Sequence, residues 1–379
     1  RLTVCLGRKL GFGLMRLPLK DPNDRFNVEN VEMDTLKRMV DIFIERGFNY
    51  FDTAYVYGSS EAATKEALVK RYPRDRFRLA TKLPLNKLKR AEDQEKFFNE
   101  PLERCGVDYF DNYLLHDMSA ENYKIACEFG SYDFIRAKKA EGKIKHIGFS
   151  FHDTAELLDE ILTDYPDFEF VQLQINYLDW DNEGIQSRKC YETAVKHNKP
   201  VIVMEPVKGG TLANVPENAE KLLKGHNPNM SVPSWAIRYA ASLDNVVTVL
   251  SGMSTLEQLN DNTGFMRDFI PLSDEERAIL EQTVNIIAGN IAIPCTACRY
   301  CVDTCPQNIP IPDYFGLYNN KKQNMVQPFY VQDLYYQRRS QGCGKASDCI
   351  ECGECEKHCP QHLTIRQFLK DVAGSFEKV

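Results

Sequence analysis

Positive charge is in short supply in this 379-residue sequence: 47 Lys and Arg stand against 54 Asp and Glu, a net charge of −7 with histidine neutral. A chain without a basic stripe has little with which to neutralise a phosphate backbone, so nucleic acid is excluded as an expected partner. Long apolar runs are missing too. No stretch approaches the ~20 residues that cross a bilayer, and Arg1 to Lys20 has no uninterrupted apolar core of the signal-peptide kind. A soluble chain with no membrane partner and, by default, a cytoplasmic location is the expectation. No G-x-G-x-x-G follows a strand candidate, and Gly11-Phe12-Gly13 is too short a match, which counts against an open doubly wound dinucleotide-binding sheet. A flavin signature is absent as well. Core material is not lacking: 43% hydrophobic residues can build one large domain and a small one.

Buried-strand candidates recur along the first two-thirds of the chain, at Leu10 to Phe12, Asn49 to Asp52, Arg78 to Lys82, Asn112 to His116, His146 to Ser150, Phe170 to Ile175, Val201 to Glu205 and Val246 to Gly252. Amphipathic or charged stretches separate them, and the second of these is expected as a helix over Glu61 to Lys70. Eight strands with eight crossovers predict a (β/α)8 TIM barrel. In such a barrel the chemistry gathers at the C-terminal ends of the strands. The polar groups there are Asp52, Lys82, His116, Ser150, Gln174 and Glu205, from six consecutive strands, with Tyr57 five residues beyond Asp52. Asp52, Tyr57, Lys82 and His116 form an acid–base set: an ammonium near a phenol lowers its pKa, a carboxylate holds the ammonium, and an imidazole can orient a carbonyl oxygen. The plainer alternative is an ordinary Asp52–Lys82 ion pair beside two satisfied rim residues.

Of thirteen cysteines, eight fall in two runs of one spacing: Cys295-x-x-Cys298-x-x-Cys301-x-x-x-Cys305-Pro306 and Cys349-x-x-Cys352-x-x-Cys355-x-x-x-Cys359-Pro360. Three thiolates at three-residue intervals wrap three corners of an iron–sulfur cubane, and in two-cluster ferredoxins the fourth cysteine of each run serves the other cluster. The assignment is Cys295, Cys298, Cys301 and Cys359 for one [4Fe-4S] cluster and Cys349, Cys352, Cys355 and Cys305 for the second. Zinc is the competing metal, but four cysteines per run with a following proline fit zinc ribbons poorly. Cys343 has no place in the spacing and is read as a packed thiol. Cys5, Cys105, Cys127 and Cys190 stand alone and are expected as buried, inert thiols. After a helix at Ser273 to Ile287, the pair Gly289-Asn290 marks a boundary, giving a barrel domain over 1–288 and a small ferredoxin-like α+β iron–sulfur domain over 289–379. Extra helices are expected around Tyr314 to Asn319 and Val331 to Arg339, with a terminal helix over Thr364 to Phe376.

The stretches Asp52-Thr53-Ala54-x-x-Tyr57-Gly58, Thr81-Lys82, Tyr113-Leu114-Leu115-His116 and Gly142-Lys143-Ile144-Lys145-x-Ile147-Gly148-x-Ser150 resemble the aldo-keto reductase superfamily. The whole chain resembles its iron–sulfur branch, through Gly148-Phe149-Ser150-Phe151-His152, Met204-Glu205-Pro206-Val207-Lys208-Gly209-Gly210 and Ile293-Pro294-Cys295-Thr296-x-Cys298-x-Tyr300-Cys301. The resemblance implies that Tyr57 is the general acid, that Lys82 and Asp52 tune it, and that His116 orients the carbonyl. It implies that Ser150 and Gln174 hold the nicotinamide carboxamide of NAD(P)H. Departures from the pattern fall on the cofactor side: Phe151 replaces an asparagine, and Met204 stands where a tyrosine stacks on nicotinamide. In the last-strand segment, which also carries Asn262, the positions Gly252, Ser254 and Gln258 stand where Lys or Arg often grips the 2′-phosphate of NADP, so NADH and NADPH both stay open. Lys208 or Arg238 could supply a phosphate contact, or be plain structural cations, and Glu205 could serve the site or pair with Lys208. The expected activity is carbonyl reduction, or the reverse, on a small-molecule substrate. Because nicotinamide passes two electrons and a cubane one, the alternative is an electron-transfer subunit working with a ferredoxin or flavoprotein partner.

Overall fold

The computed structural model describes residues 8–289, 292–295, 297–323, 331–359 and 361–377; Cys5, Asn290, Thr296 and Pro360 lie outside the described residues. Eight parallel strands close into a barrel in the order of the chain: β1 (Leu10–Gly13), β2 (Tyr50–Asp52), β3 (Arg78–Pro84), β4 (Phe110–Met118), β5 (Ile144–Phe151), β6 (Phe170–Gln174), β7 (Val201–Met204) and β8 (Val246–Gly252). All eight predicted strands are present, and β1 pairs with both β2 and β8. Around them run α1 (Met33–Glu45), α2 (Ser60–Thr64), α3 (Asp93–Cys105), α4 (Ala120–Glu128), α5 (Ser131–Ala140), α6 (Ala155–Asp164), α7 (Ser187–Lys196), α8 (Glu217–His226), α9 (Val232–Ala241), α10 (Leu256–Arg267) and α11 (Asp274–Ala288). The stretch expected as one helix to Lys70 is α2 continued by a π-helical turn at Lys65–Val69.

Side-chain alternation explains the packing. Successive residues of a strand point to opposite faces, so one parity fills the barrel and the other meets the helices. Tyr50, Ala80, Leu114, Phe170, Ile202 and Leu250 form a separate buried cluster within the barrel. Gly11 and Gly148 occupy the same parity because there is no room for more: a Cβ on Gly11 would lie 2.7 Å from the Leu250 side chain, and one on Gly148 2.6 Å from Phe170. The opposite parity, including Phe12, Phe51, Leu79, Leu115, Phe149, Val171 and Val203, packs outward against helices such as α1. That helix buries Leu36, Met39, Val40 and Phe43, the spacing of one helical face.

Beyond α11 the chain forms α12 (Ile311–Gln323), α13 (Val331–Gly342), α14 (Glu354–Lys357) and α15 (Ile365–Phe376). The α+β composition expected of the tail is narrower in the structure: among the described residues it is built of helices and cysteine-bearing loops, with no strand. Its core of Ile309, Tyr314, Phe315, Leu317, Tyr336 and Leu369 extends to Ile185, which belongs to the loop after β6. The tail therefore sits on the C-terminal rim of the barrel. Arg339 donates to the Gly184 carbonyl at 3.1 Å, and Asn182 to the Gly316 carbonyl at 3.4 Å.

Candidate active site

The barrel-filling parity, carried one step further along each strand, delivers polar groups to the rim. Asp52 follows Tyr50 by two residues, Lys82 follows Ala80, His116 follows Leu114, and Ser150 follows Gly148, so all four point inward at the C-terminal mouth. Tyr57 reaches the same place from the loop after β2. That loop turns at Gly58 with φ +62°, and a Cβ there would lie 2.2 Å from the Arg25 carbonyl oxygen.

The four groups of the predicted tetrad converge. Lys82 Nζ donates to Asp52 Oδ1 at 2.6 Å and to the Thr53 carbonyl at 2.7 Å, and lies 4.9 Å from the centre of the Tyr57 ring. The Tyr57 and His116 rings meet edge to face with centroids 5.9 Å apart. Asp52 and Lys82 are buried, whereas Tyr57 and His116 are half-buried at the mouth. Burial pushes the Asp52 carboxyl up against the pull of Lys82. It pushes the Lys82 ammonium down, but Asp52 and Tyr57 together hold it above the usual lysine range. The expected lowering of the Tyr57 pKa needs correcting. Lys82 does pull it down, but desolvation outweighs that pull, and the phenol ends above its usual range and keeps its proton. Burial, with Lys82 adding, brings His116 down to about 3, so its imidazole is neutral at ordinary pH.

On the cofactor side, the Ser150 hydroxyl accepts from the Asp117 N–H at 2.8 Å, and Gln174 Nε2 donates to Asp179 Oδ2 at 3.2 Å. The Gln174 carbonyl oxygen is buried with no donor at bonding geometry among the described residues, although the His152 imidazole is near enough to feel it. A buried acceptor on β6, the strand paired with the one that carries Ser150, suits a carboxamide, so the residues fit the nicotinamide group. Met204 Sδ accepts from Gln172 Nε2 at 3.6 Å. Asn262 Nδ2 donates to Ser251 Oγ at 3.0 Å, Gln258 Oε1 accepts from the Ser254 N–H at 2.8 Å, and the Ser254 hydroxyl donates to the Arg16 carbonyl at 2.9 Å. The cations considered for phosphate are committed elsewhere: Lys208 pairs with Asp179 at 2.6 Å, not with Glu205, and Arg238 with Glu276 at 2.6 Å.

The two cysteine runs interleave. Cys295, Cys298, Cys301 and Cys359 line one cavity, and Cys305, Cys349, Cys352 and Cys355 line another, with Ile311 in the wall of both. Each set stands around a shared space, and among the described residues no three Cys, His, Asp or Glu side chains converge as ligands of a single ion. Four thiols around each space suit the cubane assignment. Cys105 and Cys190 are buried, and burial raises both thiols, Cys190 to about 12. Cys127, expected to be buried, is exposed near the end of α4, 3.5 Å from the Tyr165 hydroxyl.

Three further residues shape the mouth, and the first of them, Arg16, has no signal in the sequence. Arg16 follows β1 and lies against Gly252, its Cδ 3.3 Å from where a Cβ would stand, so a cation reaches the β8 edge from a strand at the other end of the barrel sequence. Glu205 directly follows β7 with φ +57°, and burial keeps its carboxyl above the usual range although Arg16 and Lys208 oppose this. His152 meets the tail: its Nδ1 is 3.3 Å from the Tyr335 hydroxyl, its carbonyl accepts from Arg338 at 2.9 Å, and burial brings its pKa down to about 4.

Comparison with known proteins identifies the family. Residues 9–285 match the model of the aldo/keto reductase family, and residues 294–364 match that of a 4Fe-4S dicluster domain. An NADH-specific methylglyoxal reductase of Escherichia coli is 25% identical over 277 residues, which cover 62% of this chain and 83% of that protein. An aldo-keto reductase of Mycolicibacterium smegmatis is 28% identical over 40% of this chain, which spans about half (49%) of its length. The crystal structure of an aldo-keto reductase from Klebsiella pneumoniae in complex with NADPH superposes with a TM-score of 0.57 at 21% identity, over 72% of this chain and 90% of that one. With the barrel, the rim groups and the family model in agreement, the chain belongs to the aldo/keto reductase family of NAD(P)-dependent oxidoreductases, with an iron–sulfur domain behind its barrel.

Proposed function

We propose that this protein reduces a small aldehyde or ketone to the alcohol, or runs the reverse oxidation, with Tyr57 as general acid and base. The observation that carries this reading is the convergence of Tyr57, Lys82, Asp52 and His116 at the barrel mouth. When bound, reduced nicotinamide supplies hydride to the carbonyl carbon. Tyr57 gives its proton to the carbonyl oxygen, and Lys82 stabilises the phenolate that remains. Neutral His116 holds the same oxygen in line, and Asp52 keeps the ammonium in place. Ser150 and Gln174 would hold the carboxamide, with Met204, Gly252, Ser254, Gln258 and Asn262 along the rest of the cofactor. The methylglyoxal reductase among the relatives makes a small 2-oxoaldehyde the first substrate to try. Replacing Tyr57 with Phe should lower carbonyl reduction by at least about a hundredfold with iron and sulfide content unchanged. Normal turnover by that variant would refute the assignment.

Residues 1–288 then form the catalytic domain and residues 289–379 the cluster domain, in a reducing, cytoplasmic setting. Cys295, Cys298, Cys301 and Cys359 would hold one [4Fe-4S] cluster, and Cys349, Cys352, Cys355 and Cys305 the other. A second reading, exchange of electrons with a ferredoxin or flavoprotein, is favoured by one observation: Cys298 and Cys352, one from each set, are exposed beside the exposed side chains of Tyr300 and Ile350. Anaerobic addition of NADH or NADPH, with and without flavin, tests it. Bleaching of the cluster absorbance supports this reading, and its absence in every combination removes it.

A further inference from the structure

Ser150 and Gln174 are each tied, through one aspartate, to the iron–sulfur domain. The Asp117 N–H that meets Ser150 belongs to a residue with φ +60°, at an irregularity in the β4–β5 pairing. The Asp117 carboxylate is held by Arg338 of α13, whose side chain is 9% exposed and also donates to the His152 carbonyl. On the neighbouring strand, Gln174 donates to Asp179, which is fully buried. Asp179 also receives Lys208 Nζ at 2.6 Å, Asn176 Nδ2 at 2.8 Å and the side-chain amide of Asn320 from α12. Asn320 in turn accepts from Gln332 of α13.

Plain adhesion between the domains does not need this arrangement. The apolar contact at Ile185 already joins them, and a desolvated charge is an inefficient adhesive because its hydration must be replaced bond for bond. What the two bridges share is their end point. Both finish on a group to which the carboxamide is assigned, and one of them holds a left-handed backbone conformation.

We propose that the docked iron–sulfur domain completes the nicotinamide site: Asp117 and Asp179 are positioning residues for Ser150 and Gln174, and Arg338 and Asn320 of the tail fix those aspartates. The proposal rests on the reading that Ser150 and Gln174 hold the carboxamide. The test is equilibrium titration of NADH and NADPH, followed by nicotinamide fluorescence, on the anaerobically purified full-length protein with its iron content measured. Arg338→Gln and Asn320→Ala should each raise Kd on the order of tenfold, the scale of one lost anchoring hydrogen bond, with iron retained, and the kinetic loss should lie in KM for the cofactor rather than in kcat. Arg338→Lys, which keeps the charge, should recover part of the affinity. Adding Arg338→Gln to Asp117→Asn should change Kd little further. Unchanged cofactor affinity in both tail variants overturns the proposal. Ser150→Ala and Gln174→Ala separate the two levels: if they too leave affinity unchanged, the carboxamide assignment fails; if they weaken binding and the tail variants do not, only the positioning role fails.

Discussion

At the scale of single residues, the decisive balance is between desolvation and charge. Lys82 sits where it can stabilise a phenolate, yet burial of Tyr57 wins and the phenol stays protonated. Carbonyl reduction should therefore hold through neutral pH and decline only above the usual phenol range near 10; a kcat/KM profile with an alkaline limb well below that would contradict the balance. Neutral His116 and His152 have a further consequence. Their folded pKa values, about 3 and about 4, lie below the unfolded value near 6.5, so between these limits the unfolded chain binds more protons. Stability contributed by keeping them neutral is complete above pH 6.5 and is lost as pH falls toward 4 and then 3, by up to about 1.4 kcal/mol per pH unit for each ring. Melting temperatures from pH 7 to 4 check the sign, and His152→Phe should flatten the slope. Lys82→Met tests the ion pair: stranding Asp52 should cost roughly 3–5 kcal/mol, read by denaturant unfolding.

At the scale of elements, the strands were legible and the helices only in part. A parallel strand buried on both faces is a short apolar run whose ends are marked by polar residues, as in Val201-Ile202-Val203. Helices α4 and α8 escape that kind of reading. α4 carries only a weak apolar stripe, and α8 is amphipathic but short, its Ala219 and Leu223 buried in one cluster with Leu280 and Ile287 of α11, a contact with no local trace. The loop after β2 is the element that aims the Tyr57 phenol, the proposed general acid. Gly58→Ala must strain a left-handed position and push a methyl into the Arg25 carbonyl. We expect a loss of about 1–3 kcal/mol together with a lower kcat, because Tyr57 adjoins the displaced turn; an unchanged kcat would show that Tyr57 is aimed by its packing alone.

At the scale of the molecule, the interleaving of the cysteine runs decides which metal site each substitution empties. Cys359→Ser should abolish the cluster whose other three positions are in the first run, and Cys305→Ser the cluster of the second, which EPR spectra of the reduced protein can tell apart; loss of the cluster of the same run in either variant would reverse the assignment. Sequence alone determined the barrel, the polar groups of its rim and the duplicated cysteine motif, because each is written in local terms: strand-length apolar runs, a period of two, and a fixed cysteine spacing. Tertiary structure decided the rest. Arg16 reaches Gly252 only because the barrel closes β1 on β8, Lys208 is taken by Asp179 rather than Glu205, and Arg338 and Asn320 reach Asp117 and Asp179 across gaps of more than a hundred residues. Side chains that meet through closure and docking leave no periodic mark in the chain. Their pairing is set by burial and by the need to satisfy every charge so enclosed.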